Sequence, residues 1–364
     1  MQTFAAVATG GEVPFAVETI DIVDPRPDEI LVRVEAVGLC HTDLVTKAFW
    51  PAVKPIVLGH EGAGVVEQVG QDITDVSPGD KVLLSYASCG VCAACISGHR
   101  GYCAQFAVLN ASGARGDGSA TLSRHGEPIA GSFFGQSSFA RHAVARRANA
   151  VVVDPATDLS VAAPMGCGFQ TGAGAVINVL APEPESAFVV YGAGGVGMAA
   201  IMAAAALGVK TIVVVDLSPV RREVALTVGA TAALDGGAED LLTQIRKVTG
   251  GGASHAFDTT GVGPVISTAA KALRPLGTLV VVGLGAPEIT IDVTDLIAGG
   301  KSVRGCIEGD ADPQRLLPQL LRWHSEGRFP VERIIQTFPF EDINEAVAAA
   351  VAGTAIKPVL TFPG

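Results

Sequence analysis

Charge and aromatic rings are both scarce in this chain. Only 17% of its 364 residues are charged and 5% are aromatic. Basic residues are the scarcer sign, 25 against 36 acidic ones, for a net charge of -11. With no Lys/Arg run and no basic stripe, a nucleic-acid surface is excluded. Long apolar runs are missing too. The most membrane-like stretch, Val196 to Val209, is rich in Ala and Gly. It is shorter than the roughly 20 apolar residues a spanning helix needs. Placed directly after a Gly-rich turn, it reads as a buried helix, and no membrane partner is expected. The opening MQTFAAVATGGEVPF has no basic stretch leading into an apolar core. No signal peptide is therefore expected, and a cytoplasmic location is. Internal repeats and low-complexity linkers are absent. Apolar residues are abundant at 49%, which excludes a disordered chain. The length suggests two domains, each with its own core.

Six of the seven cysteines, in a chain without an export signal, are better read as metal ligands than as disulfide halves. Cys89, Cys92, Cys95 and Cys103 fall in one short loop as C-x2-C-x2-C-x7-C. Four thiolates fill the tetrahedral shell of zinc, so this set reads as a closed structural site. Free thiols and an iron–sulfur cluster are its alternatives. His99, inside the same loop, reads as a surface residue. Cys40, His60 and Cys167 stand far apart in sequence and offer three ligands, the open kind of zinc site that does chemistry. Singly, each is more often a buried thiol or an ordinary hydrogen-bonded imidazole. Two thiolates and a neutral imidazole would bring the ion to zero net charge, which favours the deprotonated form of a bound alcohol. Asp43 suits the carboxylate that orients the imidazole, with an exposed turn carboxylate as the plainer reading. Cys306 has no assigned role and reads as a buried strand residue.

The first part of the chain has the texture of strands. Ile30, Val32, Val34 and Ala36 alternate with their neighbours at a period of two. Residues 63–69 and 81–85 are further β-rich runs, separated by turns such as Ser77-Pro78-Gly79-Asp80. Cys40-His41-Thr42-Asp43 is placed at a strand end, and Gly59-His60-Glu61-Gly62 at a turn. Near Ser186 the texture changes to short apolar strands alternating with Ala-rich helices. Strands are expected at 187–191, 211–215, 255–258, 278–282 and 303–307, in a doubly wound parallel sheet. Ser218-Pro219 marks a helix start. The tail reads as a helix at 314–326, a strand at 333–338, a helix at 342–351 and a strand at 358–362.

Val189-Val190-Tyr191 runs into Gly192-Ala193-Gly194-Gly195-Val196-Gly197, a G-x-G-x-x-G between strand and helix. Gly192 makes the turn, Gly194 admits a pyrophosphate to the helix N-terminus, and Gly197 lets helix pack on strand. The next strand ends at Asp216, roughly 20 residues on, where a carboxylate meets the ribose 2′-OH and repels a 2′-phosphate. NAD is therefore favoured over NADP, with Arg221 and Arg222 close by keeping NADP open.

Taken together, C-H-T-D, G-H-E-G-A-G, the four-cysteine lobe, G-C-G, G-A-G-G-V-G and Asp216 resemble the zinc-containing medium-chain alcohol dehydrogenases over essentially the whole chain. The resemblance implies an α/β protein with two domains. A GroES-like β-rich catalytic domain would come from residues 1–168 and 307–364, and a Rossmann NAD-binding domain from 169–306. It also implies two zinc ions per chain, the catalytic one held by Cys40, His60 and Cys167 with Glu61 behind it. Thr42 would pass the alcohol proton onward. His41 and Lys357 would meet the coenzyme pyrophosphate, and Thr171 would lie near the nicotinamide. For Lys357 the bare reading is a solvated residue before a strand. Val45 stands where many members carry a relay histidine. That leaves the ribose hydroxyl, His41 or an ordered water to take the proton onward from Thr42.

V-L-L-S-Y-x-x-C-G and G-C-G-F-Q-T-G-A-G-A are similar to the aryl-alcohol (benzyl-alcohol) branch. Phe133, Phe134 and Trp50 would then wall the substrate pocket, although Phe pairs are more often plain core. The function implied is reversible NAD-linked oxidation of a primary, aromatic alcohol to its aldehyde, by a homodimer or homotetramer. Alternatives are a zinc alcohol dehydrogenase for aliphatic alcohols or a formaldehyde adduct, a non-catalytic nucleotide-binding zinc protein, and a zinc-free quinone reductase of the same fold.

Overall fold

A computed structural model describes residues 1–285 and 287–363. The chain divides into two compact units. One is Met1–Cys167 with Asp312–Pro318 and Ile335 onward; the other is Gly168–Ala311 with Gln319–Ile334. The first boundary falls one residue from its expected place. The second does not follow the expected return at 307, because Gln319–Ile334 packs with the second unit. Its anchor there is Phe329, fully buried and edge-on to Phe169 at 6.4 Å.

Ten strands open the first unit: β1 Gln2–Ala8, β2 Ala16–Ile22, β3 Glu29–Gly38, β4 Ile56–Val57, β5 Gly62–Val69, β6 Lys81–Leu84, β7 Leu122–Arg124, β8 Glu127–Ile129, β9 His142–Arg146 and β10 Ala150–Val152. One sheet runs β4-β1-β2-β7-β8. In β3 the alternation is only partial. Ile30, Val32 and Val34 are buried as expected, but so is Leu31, because β3 is flanked by β5 and β9 and covered on both faces.

β3 stops at Gly38, and a helix, His41–Phe49, begins after Cys40. This corrects the strand end expected at Cys40–Asp43. Asp43, three residues after the cap position, accepts a hydrogen bond from the Cys40 N–H at 3.0 Å. An acid there also faces the positive end of the helix dipole.

The second unit is one parallel sheet built from β11 Ala187–Tyr191, β12 Thr211–Asp216, β13 Ala232–Asp235, β14 Ala253–Asp258, β15 Leu273–Val281 and β16 Ser302–Gly305. Its order, β13-β12-β11-β14-β15-β16, is the doubly wound dinucleotide-binding arrangement. β13 escaped the sequence reading because A-A-L-D is a short, half-buried edge strand with little apolar signal. Ser218 caps the helix Pro219–Thr227 by accepting from the Arg221 N–H at 3.3 Å. After the segment 319–334 the chain returns with β17 Ile335–Pro339 and β18 Lys357–Thr361. They extend the other sheet of the first unit, in the order β10-β6-β5-β3-β18-β17, with β9 also on β3. Among the described residues, no helix is long and apolar enough to cross a membrane.

A Cβ on Gly197 would overlap the Gly192 carbonyl oxygen, so strand and helix meet there only through glycine. Gly197→Val is expected to weaken NAD binding by at least about fivefold, since overpacking of this kind costs about 1–3 kcal/mol. Both zinc ions should be retained. An unchanged NAD dissociation constant would refute the close-approach role.

Candidate active site

Asp43 organises the open metal site. Its carboxylate is fully buried and reaches three partners on two segments. Oδ2 accepts from the Cys40 N–H at 3.0 Å; Oδ1 accepts from the Gly59 N–H at 3.0 Å and lies 2.8 Å from His60 Nδ1. A carboxylate oxygen accepts, so Nδ1 donates and Nε2 is left presenting its lone pair. Nε2 is buried and has no hydrogen-bond partner. Facing it are Cys40 and Cys167. The ligand atoms of Cys40, His60, Glu61 and Cys167 all lie within 4.8 Å of one another.

Two sulfurs, an imidazole nitrogen with a free lone pair and a nearby carboxylate fit zinc. The electrostatics agree. The Cys40 thiol is held well below its usual value by the Cys167 sulfur and, against burial, by His60 and Lys357. Burial disfavours a charged His60, yet Asp43 and Cys40 outweigh it and raise the imidazole well above its ordinary value. A site that draws a proton this strongly draws a metal cation for the same reason.

Glu61 is fully buried beside the ligands. A Cβ on Gly38 would overlap its carboxylate, so β3 passes close only because residue 38 is glycine. Lys357 has a partner that the resemblance did not name. Its Nζ lies 2.5 Å from Glu61 Oε2 and donates to the Leu39 carbonyl at 3.2 Å. It is only 4% exposed, which overturns the solvated reading. Burial disfavours the ammonium, but Glu61 and Cys40 raise it above its usual value.

Phe133 and Phe134 are brought against the metal site. The Phe134 ring stacks on the His60 imidazole at 4.5 Å and 28°, and Phe133 meets it edge-on at 5.4 Å. Phe106, three residues after Cys103, packs edge-on to Phe134 at 6.1 Å. Trp50 follows the far end of the helix His41–Phe49 and packs against the same apolar core as Phe133 and Phe134. Its indole N–H donates to the Lys54 carbonyl at 2.7 Å, and its ring lies beside Gly113. In the first turn of the same helix, Thr42 is half-buried and His41 exposed, and Val45 is half-buried one turn on.

Cys89, Cys92, Cys95 and Cys103 form the second cluster. Cys89 Sγ and Cys95 Sγ are 3.9 Å apart, against about 3.8 Å for the edge of a tetrahedron with Zn–S bonds of about 2.3 Å. Backbone N–H groups point at the sulfurs: Cys89 and Gln105 to Cys103, Cys92 to Cys89, Ala104 to Cys92. The Ala104 and Cys95 amides pull the Cys92 thiol down to about 6, while burial pushes Cys95 up to about 11. His99 is exposed and outside the cluster.

In the second unit, β11 ends at Gly192 and the helix Gly195–Ala206 follows. A Cβ on Gly194 would stand in open space, so the phosphate cradle before that helix is clear. Val196 lies in the helix's first turn. Asp216 is fixed at the end of β12 by N–H groups of Ala193, at 2.6 Å, and Ser218, at 2.7 Å. Arg222 is engaged with the carbonyls of Asp216 and Leu217 and with Asp235. Arg221 is half-buried and its Nε has no partner. Thr171 is half-buried on the helix Gly168–Gly174. Cys306 is buried, its thiol pushed up to about 12 by burial.

Sequence reasoning missed Gln136. This buried amide accepts from the Gly62 N–H at 3.0 Å and donates to the His60 carbonyl at 3.0 Å. No local motif marks it, because its partners lie far away along the chain.

Metal analysis is expected to find two zinc ions per chain. Asp43→Ala should weaken the catalytic ion by about 10–100-fold, the usual effect of removing an outer carboxylate, and leave the four-cysteine ion in place. Retention of both ions at wild-type affinity would refute the role of Asp43.

Comparison with known proteins agrees with this geometry. The family model described as alcohol dehydrogenase GroES-like domain matches residues 26–154, and the zinc-binding dehydrogenase model matches residues 195–326. A geraniol dehydrogenase of Castellaniella defragrans is 48% identical over 353 residues, 96% of this chain and 95% of that protein. The crystal structure of an alcohol dehydrogenase zinc-binding domain protein from Burkholderia ambifaria matches 100% of both chains at TM-score 0.97 and 46% identity. That of benzyl alcohol dehydrogenase from Acinetobacter calcoaceticus does so at TM-score 0.95 and 37% identity. The two metal clusters, the doubly wound nucleotide unit and these full-length likenesses together make the chain a member of the zinc-containing medium-chain alcohol dehydrogenases, an NAD- and zinc-dependent enzyme acting on an alcohol/aldehyde pair.

Proposed function

We propose that the substrate is a primary benzylic alcohol, oxidised reversibly to its aldehyde. The observation that carries this reading is the aromatic pair Phe133 and Phe134 packed on the catalytic ligand His60. When bound, zinc polarises the alcohol oxygen and NAD accepts the hydride. The chain supplies the rest. Cys40, His60 and Cys167 hold the ion, and Asp43 fixes the His60 ring. Thr42 sits two residues after Cys40 in the first turn of its helix, a suitable place for a hydroxyl that takes the alcohol's proton. Phe133 and Phe134 exclude water and offer rings for edge-to-face contact, about 0.5–1.5 kcal/mol per pair beyond burial. Asp216, held by two backbone amides, is placed for the ribose hydroxyls and against a 2′-phosphate.

A second reading, the linear allylic alcohol geraniol, is favoured by the 48% identity to a geraniol dehydrogenase. Geraniol and benzyl alcohol both place the reacting carbon next to an sp2 carbon beside an apolar body. An aliphatic alcohol such as ethanol has neither feature.

Thiolate-rich metal sites suit a reducing cytoplasm. Exposed Leu276, Val293 and Ile297, near the sheet edge at β16, suit a homo-oligomeric contact and support a homodimer or homotetramer.

Benzyl alcohol is expected to exceed ethanol in kcat/KM by at least about tenfold, the discrimination available from burying a larger apolar body. Geraniol above benzyl alcohol would establish the second reading, and ethanol above both would sink the proposal. Phe134→Ala should lower kcat/KM for benzyl alcohol by about tenfold and affect ethanol less.

A further inference from the structure

The loop that carries the aromatic pair is held in an unfavourable backbone conformation. Ser132, Phe134, Gly135 and Ser137 have φ of 57°, 51°, 67° and 54°. Three of these four positions bear side chains, and a bulky Phe rarely adopts the left-handed region. Such a conformation persists only where the surroundings over-determine it.

The surroundings here are the segment that leads into His60. Ser137 Oγ accepts from the Phe133 N–H at 2.8 Å and donates to the Val57 carbonyl at 2.6 Å. The N–H groups of Ser138 and Phe139 donate to the Gly59 and Leu58 carbonyls, each at 2.9 Å. Gln136 completes the join. Its side chain is 2% exposed, and every hydrogen-bonding valence of its amide is used. Nε2 donates to the His60 carbonyl at 3.0 Å and the Ser85 carbonyl at 3.4 Å. Oε1 accepts from the Gly62 N–H at 3.0 Å and from Ser138 Oγ at 2.8 Å. The network fixes the amide's orientation, since a flipped amide would set N–H against N–H at Gly62. Ser85 in turn donates through Oγ to the Gly166 carbonyl at 2.7 Å, one residue before Cys167.

We infer that Gln136 is a positioning residue that ties the Phe133–Phe134 wall to two of the three catalytic zinc ligands. It touches neither ion nor substrate. It grips both sides of Glu61 and so fixes His60; through Ser85 it steadies Cys167. In the same step it sets the height of the Phe134 ring over the imidazole. Alcohol selectivity and retention of the catalytic zinc therefore depend on one buried amide. The selectivity half of this inference rests on Phe133 and Phe134 being substrate walls; the zinc half does not.

The test uses Gln136→Leu and the milder Gln136→Glu. The second keeps the acceptors for Gly62 and Ser138 and loses the donors to His60 and Ser85. Two quantities are read on the full chain: zinc released to a chelator over time, and the ratio of kcat/KM for benzyl alcohol to that for ethanol. NAD affinity, unchanged from wild type, serves as the check that the protein is folded. In both variants one of the two zinc ions should leave at least about tenfold faster, in line with the loss of an outer-shell bond. The benzyl-to-ethanol ratio should fall at least about threefold, mainly through the KM for benzyl alcohol. If Gln136→Leu does not fold, Gln136→Glu decides alone. Wild-type zinc release with only a lower melting temperature would overturn the inference. A wild-type enzyme with no preference for benzyl alcohol would instead overturn the substrate reading, and zinc release would still judge Gln136.

Discussion

The catalytic centre hangs on one buried carboxylate. Asp43 has no solvent exposure, so both of its carboxylate oxygens must find donors within the protein. It finds them at the Cys40 N–H, the Gly59 N–H and His60 Nδ1. These bonds start the helix at His41, hold the turn before β5 and choose the tautomer of a metal ligand. Local structure and chemistry therefore have one cause. Removing one partner of a buried charged pair is far costlier than the pair is worth in isolation, because the other charge is stranded. Asp43 cannot be exchanged without disturbing the helix start and the ligand together.

Much of this centre was legible in the sequence because its chemistry is local or compositional. Four cysteines at short spacing announce a closed metal site whatever the fold. The same holds for G-x-G-x-x-G between an apolar strand and an Ala-rich helix. Asp43 was legible as the carboxylate for His60, but its second task, starting a helix, was taken for a strand end. C-H-T-D carries an acid three residues after the cap position, a helix signal outweighed by the β texture before it. Lys357 was read from its neighbours in sequence, and its actual neighbour, Glu61, is almost 300 residues away. Gln136 was invisible for the same reason: an amide in a Gly/Ser-rich loop has no periodicity, and its role exists only once His60, Gly62 and Ser85 surround it.

The aromatic wall shows how the two metal sites share one scaffold. Phe106 follows the last cysteine of the four-cysteine lobe and packs against Phe134. Phe134 packs against His60. The lobe leads directly into a helix, Phe106–Ala111, whose first residue packs on the ring beside the open site. A ring held in a left-handed backbone needs support, and Phe134 has two: His60 stacked on it and Phe106 packed edge-on.

Charge balance explains why the open site calls for a metal even though it contains a lysine. Cys40 and Cys167 as thiolates, with Glu61 and Asp43 as carboxylates, place four negative charges in one buried cluster. Lys357 supplies one positive charge, held there by Glu61 at 2.5 Å, and a protonated His60 a second. Four against two leaves excess charge in a medium where unpaired charge is heavily penalised. A divalent ion that takes the place of the His60 proton at Nε2 brings the count to four against three. Lys357 neutralises the carboxylate behind the ion, leaving the two thiolates to cancel the ion's own charge. Without Lys357, Glu61 would add a third negative charge at the metal and oppose the build-up of negative charge on the alcohol oxygen. A lysine buried behind the ligands thus belongs to the same electrostatic design as the ligands themselves.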